Sequence, residues 1–144
     1  MIIITDKAKR LREWIKGNLK VLDEWMVLDD EIFHLEREAV DRTGLAEMLD
    51  DLRRRRAEAE ATVREYRARL VAMMSAADLQ TGYTPKTVVN LRRVIYLRYY
   101  RGFPIQGKGR VSTVTAKMGC SVSMVHELCK IALNRLADVW EETG

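Results

Sequence analysis

This chain has little of what interrupts or staples a polypeptide. Two prolines in 144 residues leave long stretches in which nothing stops a helix. Two cysteines, Cys120 and Cys129, are too few for a disulfide framework and are not spaced as a C-x-x-C pair. They read as small thiols on or near the inner face of a helix in a reduced, cytoplasmic protein. Histidine is equally scarce. His126 and Cys129 are three residues apart with Cys120 nearby, but no fourth ligand accompanies them and the spacing matches no zinc pattern. A surface histidine and structural thiols are expected there, and no metal; His34 stands alone on a helix. No apolar run reaches the length that spans a bilayer, and Met1-Ile2-Ile3-Ile4 is too short for the apolar region of a signal sequence, so no membrane association is expected. Ser-His-Asp, paired-carboxylate and phosphate-cradling glycine motifs are missing, so the chain is expected to be neither an enzyme nor a cofactor binder.

What is present is helical periodicity. From Trp14 a four-three spacing runs through Asn18, Val21, Trp25, Leu28, Ile32, Leu35 and Ala39. A second stripe at Leu11, Ile15, Leu22, Met26, Phe33 and Val40 widens the apolar face. Asp41-Arg42-Thr43-Gly44 breaks the pattern, which resumes through Leu45, Leu49, Leu52, Arg56, Ala59, Val63, Tyr66, Leu70, Met73 and Ala77. Two heptad-patterned helices joined by a short polar turn predict a long, coiled-coil-like antiparallel hairpin over residues 1–80, each arm about 35 residues and roughly 50 Å long. Folding the chain at residues 42–43 sets Trp25 opposite Ala59 and Arg56 opposite Asp29 and Asp30. Helix 1 then carries more apolar surface than one helix can cover, so either residues 88–100 or a second copy of the chain, as a homodimer, must cover the rest. The run Arg53-Arg54-Arg55-Arg56 points around most of a helix circumference. With Asp50, Asp51, Glu58 and Glu60 within reach, it reads as a solvated, salt-bridged surface.

The C-terminal part has different punctuation. Thr81-Gly82-Tyr83-Thr84-Pro85 marks a boundary, with Thr84 placed to cap a helix that has Pro85 in its first turn and runs to about Arg101. An exposed loop, Gly102 to Arg110, follows. Val114 and Met118 then span one face of a short helix, Gly119 can stop it, and Ser121 can cap the next. A stripe at Val125, Cys129, Ala132, Leu133 and Leu136 completes a second helix. Two helices around a Gly-containing turn predict a helix-turn-helix, the unit that sets its second helix into the DNA major groove; a plain pair of core helices has the same stripes.

Leu91-Arg92-Arg93-Val94-Ile95-Tyr96-Leu97-Arg98-Tyr99-Tyr100-Arg101-Gly102 resembles the opening of region 4 of bacterial sigma-70 factors. The likeness continues at Val114, Thr115, Met118, Gly119 and Ser121, and closes on Ala132-Leu133-Asn134-Arg135-Leu136. A helical N-terminal half followed by such a module is similar to phage and prophage late transcription regulators of the ArpU and RinA type. The resemblance implies a DNA-binding transcriptional regulator of phage or prophage origin.

Charge is divided accordingly. Residues 1–80 hold 15 Lys/Arg against 17 Asp/Glu, and residues 81–144 hold 10 against 4, a net of +6. The basic excess lies where a phosphate backbone would be met. By position, Val122, Ser123, Met124, His126, Glu127 and Lys130 are the candidate base-contacting residues, and Lys108, Arg110 and Lys117 the candidate phosphate contacts. Ser123 can bond several base edges, and Val122 or Met124 can touch a thymine methyl. No arginine stands in this turn for a bidentate guanine contact. The expectation is therefore an all-α protein, a hairpin (1–80) followed by a sigma region 4-like helix-turn-helix (81–144) that binds double-stranded DNA. The alternative is a protein-interaction module that docks on RNA polymerase or a phage DNA-packaging component without reading bases.

Overall fold

Thr5 opens the first helix, its hydroxyl accepting from the Ala8 N–H at 3.1 Å, with Asp6 complementing the dipole of the first turn. In the computed structural model, which describes residues 2–38, 43–107 and 112–142, α1 spans Asp6–Glu38 and α2 spans Thr43–Ala76. They are 33 and 34 residues long, close to the arm length that the spacing predicts. Of the breaking residues, Asp41 and Arg42 lie outside the described residues, as do Ala39 and Val40 of the two stripes, while Thr43 and Gly44 fall in the first turn of α2. Three further helices follow: α3 (Pro85–Val94), α4 (Val114–Met118) and α5 (Val122–Ala137). No strand occurs among the described residues, and none of their helices is long and apolar enough to cross a membrane.

Contacts divide the chain into two units, residues 17–68 and residues 1–16 with 69–144. In the first, Leu28 and Ile32 of α1 pack with Leu49 and Leu52 of α2, and Leu35 covers their edge. The predicted charge register is present: Arg56 Nη1 meets Asp29 Oδ1 at 3.1 Å, and Arg53 reaches Glu36 across the same pair of helices at 3.1 Å. Within α2, Arg54 pairs with Asp51 and Glu58, so three of the four consecutive arginines are engaged by carboxylates. Glu60 serves Arg64 instead. Trp25 and Ala59 are both half-buried and line two grooves, Ala59 beside Val21 and Val27, Trp25 beside Met26 and Phe33.

The second unit buries Ala8, Leu11 and Ile15 from the start of α1, Leu70 and Met73 from the end of α2, and the inner faces of α3 and α5. Long-range polar links accompany this core. Asn134 of α5 accepts from the Thr5 N–H at 3.0 Å and donates to the Ile3 carbonyl at 2.9 Å. Arg69 stacks on Trp14, its guanidinium 4.6 Å from the ring, and donates to the Glu141 carbonyl at 2.9 Å. Trp140, buried past the end of α5, meets Trp14 with ring centroids 6.0 Å apart.

Before α3, the Asp78 carboxylate accepts from the Gln80 and Thr81 N–H groups, both at 3.0 Å. The hydrogen bonds from Thr81 and Gln80, with the nearby charge of Arg135 adding less, hold its pKa down at about 2. A depressed carboxylate contributes stability that is full above its ordinary value and lost as pH falls through the folded one. Asp78→Ala is therefore expected to lower the melting temperature by a constant amount near neutral pH. That difference should shrink to nothing below about pH 2. A difference that persists in strong acid would mean that the carboxylate charge is not what holds this turn.

α3 begins as its sequence predicts, with Thr84 accepting from the Thr87 N–H and Pro85 leading the first turn. It does not run on as regular α-helix. From Ile95 to Tyr100 the chain widens into a π-helix, closed by the Arg101 N–H on the Tyr96 carbonyl at 2.8 Å. The wider turn stacks Tyr96 on Tyr100, centroids 5.5 Å apart and 18° from parallel. The following loop is not wholly exposed either. Its residues Phe103 to Ile105 are half-buried, and the Pro104 and Ile105 carbonyls accept from Val114 and Thr115, amides that the start of a helix leaves unpaired. Lys108 and Arg110 lie outside the described residues.

Candidate functional site

The site is built on the α4–α5 turn. Thr113 caps α4 by accepting from the Ala116 N–H at 3.2 Å. Gly119 ends α4 in the left-handed region at φ 64°, and its N–H returns to the Thr115 carbonyl at 2.9 Å. A side chain on Cβ is disfavoured at this φ, which is why glycine suits the position. Extended Ser121 then caps α5, its hydroxyl accepting from the Met124 N–H at 3.2 Å. Turn and cap together fix the direction in which α5 leaves α4.

The two faces of α5 separate cleanly. Val125, Leu128, Cys129, Ala132, Leu133 and Leu136 are buried. Ser123, Met124 and His126 are exposed, and Val122, Glu127 and Lys130 are half-buried on their flanks. All six candidate base-contacting residues therefore retain accessible surface on the first turns of one helix. Glu127 and Lys130 pair with each other, Oε1 to Nζ at 3.8 Å, so the one lysine of this face is partly neutralised from within. Of the candidate phosphate contacts, Lys117 is exposed on the last turn of α4.

One basic residue belongs beside these and was not among the sequence candidates. Arg93 of α3 is exposed and donates from Nη2 to the Lys117 carbonyl at 3.0 Å, which adds a second cation to the outer edge of α4. The signal for it is faint in sequence, because Arg92 and Arg93 are adjacent and helical phase alone does not say which one turns toward α4.

The thiols take up packing positions. Burial raises the pKa of Cys129, against smaller opposing effects of a hydrogen bond with Tyr99 and the charge of Arg98, so its reactive thiolate is scarce. Cys120 donates weakly to the Met118 carbonyl at 3.7 Å. Among the described residues no three His, Cys, Asp or Glu side chains gather as a metal site requires. Comparisons with family models, with curated proteins and with solved structures find no match for this chain.

Proposed function

We propose that the chain is a DNA-binding regulator of transcription, of phage or prophage origin, whose α4–α5 pair acts as a helix-turn-helix with the first turns of α5 in the major groove. The observation that carries this reading is the capped, outward start of α5. Gly119 and Ser121 aim the helix, while Ser123, Met124 and His126 stand free of the core. The net +6 of residues 81–144 supplies the field that a phosphate backbone needs, with Lys117 and Arg93 on the adjoining edge. The likeness to sigma region 4 falls on these same residues.

Binding of the chain to DNA flanking its own gene, measured across salt concentrations, tests this directly. Lys117→Ala is expected to weaken binding to all sequences alike and to lower the log–log salt slope by about one. The double change Ser123→Ala with Glu127→Ala should leave thermal stability within about 0.5 kcal/mol. It should cost discrimination between specific and random DNA while sparing non-specific affinity. Full discrimination in that double variant would take α5 off the bases.

One observation favours a second reading. Val122 and Met124 present apolar surface at the first turn, Met124 half exposed, and Lys130 is tied to Glu127. A surface of that kind also suits docking on RNA polymerase or a packaging component, and chain without measurable DNA affinity at low salt would select it.

A further inference from the structure

α1 carries a second surface, far in sequence from α5. Between Val21 and Glu36 it has six carboxylates and no lysine or arginine. Met26 and Phe33, seven residues apart on one side of its outward face, are 53% and 52% exposed, and the Arg37 guanidinium lies 4.7 Å from the Phe33 ring. Asp23 and Asp30 run beside them, three or four residues from Met26 and Phe33, since such spacings share a side of a helix. Large apolar side chains left half in water on a charged helix mark a surface that another molecule covers.

We infer that this strip docks a basic amphipathic helix of a partner protein, with apolar residues over Met26 and Phe33 and Lys or Arg along the edge that Asp23 and Asp30 form. The charge of the rim selects that occupant. Among the described residues Asp23, Glu24 and Glu31 pair with no cation, and Asp30 has only His34, at 3.5 Å. Asp29 and Glu36 are already held by Arg56 and Arg53. A groove of about 560 Å³ runs beside the strip, lined by Trp25, Met26, Asp30, Phe33 and Glu36 and by Arg56, whose charge Asp29 meets. A helix laid there meets Met26 and Phe33 with the uncompensated Asp23 and Asp30 along one margin, as in helix-in-groove recognition.

The same charges disfavour the other occupants. Two copies of this strip laid against each other set Asp23 and Asp30 against their own kind, and like charges across an interface are costly. The chain's own arginine run is no substitute, because Arg53, Arg54 and Arg56 are occupied within it. An anionic bilayer would be repelled by an acidic rim, where membrane-surface helices carry lysine and arginine.

The test uses the full chain and two labelled peptides of about 18 residues, five helical turns. Both have leucine at helical spacing, one with lysine at every flanking position and one with glutamate. Fluorescence anisotropy should show the lysine peptide binding at least about tenfold more tightly than the glutamate peptide, with affinity falling as salt screens the rim. Met26→Ser with Phe33→Ser should weaken lysine-peptide binding about tenfold at unchanged helicity, since both side chains are exposed. Asp23→Lys with Asp30→Lys, which keeps the apolar strip, should do the same and is read if the serine variant unfolds. Equal binding of the two peptides overturns the proposal, as does undiminished binding to a folded variant of either kind. A self-association in sedimentation that Phe33→Ser abolishes overturns it also, and makes a second copy the occupant. Because none of these measurements involves nucleic acid, their failure leaves the reading of α5 untouched, and the converse holds.

Discussion

Val125→Asp is expected to unfold the C-terminal helices. Val125 has no solvent-exposed surface, its neighbours on α5 are Leu128 and Cys129, and α5 makes its main contacts with α3. Arg98, whose charge is felt at Cys129, is already donating to the Phe103 carbonyl. An aspartate there is either ionised and unpaired or protonated at the cost of a raised pKa. Either way the loss is about 3–5 kcal/mol, a large part of the 5–15 kcal/mol by which domains are ordinarily stable. Val125→Ala gives the comparison, since it removes only two methyl groups and costs less. Urea unfolding followed by circular dichroism measures both. A midpoint for Val125→Asp no lower than that of Val125→Ala would mean that α5 can turn this position to water, and the inner and outer faces of the helix would have to be reassigned.

That experiment rests on features that local sequence determines. The faces of α5 follow from spacing, the end of α4 from Gly119, and the starts of α3 and α5 from Thr84 with Pro85 and from Ser121. Each needs only a few consecutive residues. The hairpin register was legible for the same reason: once the break at residues 42–43 is placed, Arg56 must come near Asp29, and it does. Trp25 shows where such counting stops. It is half-buried, lines a groove beside Met26 and Phe33, and is not part of the cluster of Leu28, Ile32, Leu49 and Leu52.

What remained hidden connects residues distant in the chain. Nothing local in Asn134 says that its amide will hold the backbone of Ile3 and Thr5, or in Trp140 that it will meet Trp14. The apolar surplus of α1 was visible, yet its fate divides. Leu11, Ile15 and Leu22 are buried, while Met26 and Phe33 are not. Periodicity counts apolar residues; it does not say which of them the rest of the chain covers. The π-helix is of this kind too, because its wide turn answers to the half-buried loop after Gly102, where Arg98 donates to the Phe103 carbonyl at 3.0 Å.

Arg135 is the most consequential of these hidden residues, and its removal is expected to loosen the entry to α3. Its guanidinium donates to the Asp78 carbonyl at 3.2 Å and the Thr81 carbonyl at 2.9 Å, and it lies over the Tyr83 ring at 5.3 Å. One side chain of α5 thus ties down two carbonyls of the connection between α2 and α3. The Asp78 carboxylate, 3.4 Å away and well exposed, adds little in water. The charge-assisted bonds to two carbonyls are the stronger part, and Arg135→Ala should cost about 2–3 kcal/mol. Arg135→Lys separates geometry from charge, because a lysine keeps the cation but has no planar fork to span two carbonyls and a ring at once. It is expected to recover less than half of the loss. Hydrogen exchange should report the change locally, with faster exchange at the Gln80, Thr81 and Tyr83 amides in both variants. Full recovery by lysine would show that the connection needs only a positive charge near Asp78, and the fork geometry would then explain nothing about why this segment is ordered.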